Sequence, residues 1–220
     1  MKNAVYKAQA GLRAQYVTTP EVAMITDEAR TCGIDPSDPF HSRVEPKRGS
    51  GVNVPCGVHQ AVGGPYDAPC PGDLLCAALA ACQDSSIRMV ANLMGIELIA
   101  LAVQVKATVD VRGALGIDLN VPVGFQSITC NIHLEAKEGT PTDMLEKLRV
   151  AAQRCCVVGQ TLLHPPQVKT LFIAPSVDPA GVSATLALKE LWDKARELAS
   201  PKPERYFLKK DTGLCRLRMV

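Results

Sequence analysis

Three cysteines occupy positions where packing and chemistry compete for the same side chain. Cys82 closes the run Pro71-Gly-Asp-Leu-Leu-Cys-Ala-Ala-Leu-Ala-Ala-Cys82, and Cys155-Cys156 follow 73 and 74 residues later. Cys82 lies in an almost wholly apolar helical stretch, and the later pair sits on an amphipathic one. A thiol can fill such a place as a small hydrophobe. Two thiols on two long buried helices can instead form a redox pair. A nucleophilic Cys82 would need a nearby cation or a helix N-terminus to stabilise its thiolate. Its mid-helix position removes the second option, so an arginine from elsewhere in the chain would have to supply the charge.

Other chemistries find less support. Cys56-Gly-Val-His59 has the C-x₂-H spacing of a zinc knuckle, with Cys70 and Cys76 after it, but a second knuckle of the kind structural zinc sites use is missing. The chain has no phosphate-cradling Walker loop, no G-x-G-x-x-G turn and no G-x-S-x-G elbow. No metal and no cofactor are expected.

At 220 residues, 47% of them hydrophobic and 21% charged, the chain suits one globular domain with extensions. Aromatic residues make up 4%, too few for base-stacking platforms, and a net charge of +2 gives no general attraction to polyanions. Nucleic acid is therefore excluded as a partner. Residues 201–220 carry six Lys/Arg against two acids and read as a basic, solvated tail. Nine cysteines leave at least one without an intramolecular partner. The N-terminus lacks an apolar signal region, and no stretch reaches the roughly 18 apolar residues of a membrane span. The expectation is a cytoplasmic protein, without a membrane, whose thiols are reduced.

The elements that must position these thiols follow from periodicity. Residues 4–16 predict a short helix and Glu21–Thr31 a strand, with strand-like runs near His41–Glu45 and Gly51–Val58. Pro71 suits the first position of a long helix and Gly95 the left-handed position after its end. Its 24 residues would span roughly 36 Å. Leu74 to Cys82 has no polar side chain, which predicts burial all round; Leu75, Leu79, Cys82, Met89 and Leu93 share one face. Val103 to Val111 and Ile128 to Leu134 alternate as strands with one wet side. A second long helix starts at Thr140-Pro141-Thr142-Asp143 and runs to about His164, where Pro165-Pro166 stops it. Leu145, Ala152, Cys156, Gly159 and Leu163 fall on its central stripe, and Cys155 turns away. Gln167–Ile173 reads as a last strand and Ser183–Ala199 as a surface helix. The order of elements is α+β, helices packed on an antiparallel sheet.

Pro71–Cys82, the Val121-Pro-Val-Gly-Phe125 turn and Cys156-Val-Val-Gly-Gln-Thr-Leu162 resemble the OsmC/Ohr family of osmotically inducible and organic-hydroperoxide-resistance proteins, over roughly residues 20–175. The resemblance divides the chain into an N-terminal extension (1–19), an OsmC-like domain (20–175) and a C-terminal helix and tail (176–220). It implies an intertwined homodimer with long central helices, and an antioxidant, stress-response role. Cys82 would attack a hydroperoxide and become a sulfenic acid, Cys156 would condense with it, and a dithiol reductant would reopen the disulfide. Val157 replaces the family's proline after the second cysteine. Where the family's peroxidases place a glutamate after the proline matching Pro71, this chain has Gly72, with Asp73 one place later. Asp73 is the expected holder of an activating arginine, Arg30 first and Arg43 second; Arg112 and Arg154 read as surface or interface cations. Leu79 and Phe125 are the expected apolar contacts of the substrate. Two readings stay open: a thiol-dependent peroxidase for organic hydroperoxides, and a non-catalytic OsmC-like binding or dimerisation protein with structural cysteines.

Overall fold

A computed structural model of the chain describes residues 3–33, 35–172 and 184–199. The chain divides into two compact units, residues 1–173 and 174–220. In the second, the helix α6 (Ala184–Ala199) is described.

The first unit opens with α1 (Ala4–Thr18), then a single 3₁₀ turn over Pro20–Ala23. The strand expected over Glu21–Thr31 shrinks to β1 (Arg30–Thr31). Pro20 starts the 3₁₀ turn, and Met24 and Ile25 stand 83% and 77% exposed, so nothing pairs or covers that stretch. β2 (His41–Glu45) and β3 (Val54–Gly57) complete a three-stranded antiparallel sheet in the order β1-β2-β3, with Arg30 opposite Glu45 and Val44 opposite Val54.

α2 (Pro71–Met94) has the bounds its proline and glycine dictate. Cys70 is its N-cap: the sulfur accepts from the backbone of Asp73, and the Asp73 carboxylate accepts from the Cys70 N–H at 2.8 Å. This is a capping box with a thiol in the serine position. Gly95 takes φ 72°, which an L side chain resists, and Ile96 N–H closes back on the Ala91 carbonyl at 2.9 Å.

β4 (Leu98–Thr108) and β5 (Ser127–Ala136) form a second antiparallel sheet, with Leu101 opposite Leu134 and Val105 opposite Cys130. β4 begins five residues before the expected Val103. It ends at Thr108, because Asp110 caps the one-turn helix α3 (Val111–Ala114) by accepting from Arg112 N. In the connection, Gln126 donates to the carbonyls of Pro122 and Gly124 and accepts from Asp110 N, which fixes the turn carrying Phe125. Within one chain, the expected single sheet is thus two small ones.

The second long helix is broken. α4 (Thr142–Cys155) stops at Cys156, whose φ −76° and ψ 98° are not helical, and α5 (Val157–Leu163) starts anew. Residues 167–172 form no strand.

The core lies between the C-terminal half of α2, α4 and the β4–β5 sheet. Ile87, Val90, Ala91, Ile96, Leu148 and Ala152 are its buried members, with Leu101, Val103 and Leu134 packed on them. The N-terminal half of α2 is different. Of residues 71–82 only Leu79 is buried, so the expected all-round burial fails within a single chain. By length and apolarity alone α2 could cross a bilayer, contrary to the sequence expectation. Its C-terminal half instead packs into the core, on β4 and α4.

Candidate active site

The break at Cys156 builds the site. A residue that leaves helical geometry frees the first N–H groups of the helix behind it, and these need acceptors. Cys156 Sγ accepts from Gly159 N–H at 3.3 Å, capping α5 with a sulfur. The neighbouring Val158 N–H donates to Cys82 Sγ at 3.5 Å, across from α4–α5 to α2. Two adjacent amides of one turn thus reach two sulfurs on different elements. Glycine eases the approach, because a Cβ at Gly159 would stand 3.1 Å from Cys156 Sγ, a tight contact.

Cys156 is completely buried, Cys82 is half-buried and Cys155 is exposed. Burial pushes the Cys156 thiol above the ordinary cysteine range; the Gly159 N–H works against it, and a hydrogen bond to Cys82 adds to the rise. Such an arrangement keeps the proton on Cys156. An anion at Cys82 would have two donors, the Val158 amide and the Cys156 thiol.

The other expected site residues are placed as follows. Leu79 is 7% exposed and its Cδ1 lies 3.7 Å from where a Cβ of Gly159 would stand, beside the thiol pair. Phe125 is elsewhere: its Cζ sits 3.1 Å from the position of a Cβ at Gly72, at the start of α2. Seven residues, roughly 10 Å of helix, separate the two contacts. Asp73 is occupied by its own helix end, accepting from Cys70 N–H and, at 3.4 Å, from the Tyr66 hydroxyl. Among the described residues it makes no ion pair with an arginine.

Arg30 is held by a different carboxylate. Its Nε donates to Glu45 Oε2 at 2.7 Å, while Glu45 Oε1 accepts from the amides of Gly49 and Gly51. Glu45 is only 4% exposed, and its charge is compensated by these three donors. The hydrogen bond to Arg30 holds its carboxyl below the usual range, helped by Gly51 N–H, and the same bond raises Arg30. The cysteine that Arg30 feels is Cys32, two residues along. Within one chain, the structure brings Cys82 and Cys156 together, and places Arg30 and Asp73 in other contacts. Glu45 and the amides of Val158 and Gly159 escaped sequence reasoning. Glu45 was legible only as the cross-strand partner of Arg30, and backbone amides have no residue-type signal.

Among the described residues no group of three or more His, Cys, Asp and Glu could hold a metal ion. Cys76, one of the residues weighed for zinc, has its pKa raised, by burial first and then by the charge of Asp73.

The chain matches no curated protein. The family model described as OsmC-like protein matches residues 63–171, which takes in α2 to α5 and leaves the β1–β3 sheet outside. Among solved structures, an OsmC-like protein from Mycoplasma pneumoniae is similar with a TM-score of 0.51 at 11% identity, over 64% of this chain and 89% of that one. An OsmC-like protein of unknown function from Vibrio cholerae O1 gives 0.51 at 14% identity, over 63% and 94%. An organic hydroperoxide resistance protein from Legionella pneumophila gives 0.48 at 22% identity, over 64% and 91%. The two-helix, two-cysteine region, residues 63–171, thus forms a domain of the OsmC-like family.

Proposed function

We propose that the chain is a thiol-dependent peroxidase for organic hydroperoxides. The observation that carries the reading is the Cys82–Cys156 juxtaposition, with one donor from α5 on each sulfur. Cys82 thiolate attacks the terminal peroxide oxygen, the O–O bond breaks, and the alkoxide leaves with a proton as the alcohol. The Cys82 sulfenic acid then condenses with the Cys156 thiol, forming the S–S bond and releasing water. A dithiol reductant reopens the disulfide and is itself oxidised. Cys156 keeps its proton until the second step, as its buried thiol favours. Leu79 and the apolar cleft beside it suit an alkyl or aryl substituent on the peroxide. Phe125 stands too far along α2 to share that contact without movement of its turn, and is better read as a cover for the helix start.

The competing reading is a non-catalytic OsmC-like binding or dimerisation protein. It is favoured by Arg30, whose guanidinium is already bound to Glu45, and by Gly72, which offers no carboxylate. The experiment is one equivalent of cumene hydroperoxide followed by peptide mapping. The expected result is a Cys82–Cys156 disulfide in the native chain and a trappable Cys82 sulfenic acid in Cys156→Ser. Thiols that stay reduced until the protein is unfolded would establish the competing reading.

A further inference from the structure

A third thiol lines a cleft that Gly159, whose amide caps onto Cys156, also lines. Cys130 lies on β5 opposite Val105 and lines an apolar cleft of about 1010 Å³, together with Leu79 of α2, Ala152 of α4 and Gly159 of α5. The cleft wall formed by Gly159 and Leu79 is the one behind which Cys156 lies. The space over the Gly159 Cα is bounded by Cys156 Sγ at 3.1 Å and by Leu79 Cδ1 at 3.7 Å. Cys130 is close enough for its charge to act on the Cys156 thiol. Cys156 itself has no exposed surface, so an external dithiol has no direct line to its sulfur.

We propose that Cys130 is a third redox-active thiol, which takes over the disulfide from Cys82–Cys156 and presents it in the cleft to the reductant. The proposal rests on the peroxidase reading and extends it to the step of re-reduction. The Cys130 thiolate attacks the Cys156 sulfur, the Cys130–Cys156 bond forms, and Cys82 leaves as a thiolate ready for another peroxide. The exchange moves no net electrons and needs no further oxidant. The external dithiol then reduces Cys130–Cys156 and is oxidised in turn. Burial raises the Cys130 thiol, so its thiolate fraction and the exchange rate should climb as pH rises above neutral.

The test uses full-length protein carrying Cys155→Ser, which removes the exposed neighbour and makes the peptide assignment unambiguous. One equivalent of cumene hydroperoxide is added, and acid quenching at intervals precedes alkylation and mapping. The expected sequence is Cys82–Cys156 first and Cys130–Cys156 later, with the second species growing faster at pH 9 than at pH 7. In a Cys82→Ser, Cys155→Ser protein, diamide should cross-link Cys130 to Cys156 directly. A Cys130→Ala variant should form Cys82–Cys156 at the native rate yet lose roughly tenfold in steady turnover with a dithiol. The proposal is overturned if Cys82–Cys156 forms while Cys130 stays fully alkylatable at every time and in the diamide experiment. If diamide yields Cys130–Cys156 but peroxide yields no disulfide, the peroxidase reading fails and the thiol contact stands.

Discussion

The Cys156 thiol keeps its proton chiefly because it is buried, and the Gly159 amide that caps onto its sulfur opposes this only in part. In the proposed peroxidase cycle that state suits a resolving thiol, which must not compete with Cys82 for the peroxide. The same local accounting gives a pH dependence at His41. Its Nδ1 lies 2.8 Å from Asp38 and its Nε2 3.1 Å from both oxygens of Asp67, joining β2 to the loop that leads into α2. The hydrogen bond to Asp38, then that to Asp67, raises the histidine above its ordinary value near 6.5. A raised folded-state pKa gives stabilisation that is fully present below about pH 6.5 and is lost as pH rises through the folded value. Thermal unfolding should therefore show a drop in Tm over the interval just above pH 6.5, and His41→Gln should flatten it. An equal drop in both proteins would show that the His41 clasp contributes nothing.

The start of α2 couples three elements: the Cys70–Asp73 capping box, Gly72, and the Phe125 turn held by Gln126. A Cβ at Gly72 would meet the Phe125 ring at 3.1 Å and Cys70 Sγ at 3.5 Å. Gly72→Glu should gain from helix propensity and from an acid in the first turn, about 1 kcal/mol together, but must displace the ring. The substitution should therefore be more favourable in a Phe125→Ala background by about 0.5–1 kcal/mol, read as a double-mutant cycle by denaturant unfolding. A coupling near zero would mean that the ring moves aside freely. The sequence announced α2 well, because Pro71 is a strong start signal and Gly95 a strong stop signal. It hid the break at Cys156, since Val157-Val158 carries no breaker and the apolar stripe from Leu145 to Leu163 continues through it. The break exists because a buried sulfur caps the next helix, a tertiary cause that periodicity does not register. The strand over Glu21–Thr31 failed for a related reason: a run of suitable residues does not pair without a neighbouring strand. The cysteine pair was legible from helix registers and resemblance together, whereas the amides that serve it were not.

At the scale of the molecule, the helix face that carries Cys82 is open away from the buried Leu79 and the Val158 contact. Leu75, Met89 and Leu93, on that face, are 37%, 40% and 43% exposed, and Ile128 and Ile132 on β5 are 37% and 40% exposed. Isolated apolar residues on a surface need no explanation, but a run along one helix face flanking Cys82 does. Obligate interfaces resemble a domain core cut in half, and the N-terminal half of α2 has that character. We therefore expect a homodimer in which two copies of α2 cover each other. A second copy is also a source of a cation for Cys82, since Arg30 within the same chain is committed to Glu45. Light scattering at micromolar concentration should give twice the chain mass of 23.5 kDa. Leu75→Glu with Leu93→Glu should weaken association by several kcal/mol, as loss of buried apolar anchors does. It should slow Cys82 oxidation by peroxide as the monomer fraction grows. A folded native monomer at that concentration would refute the dimer. A monomeric double variant that still oxidises at the native rate would show instead that the thiol pair works within one chain, activated by Val158 and Cys156 alone.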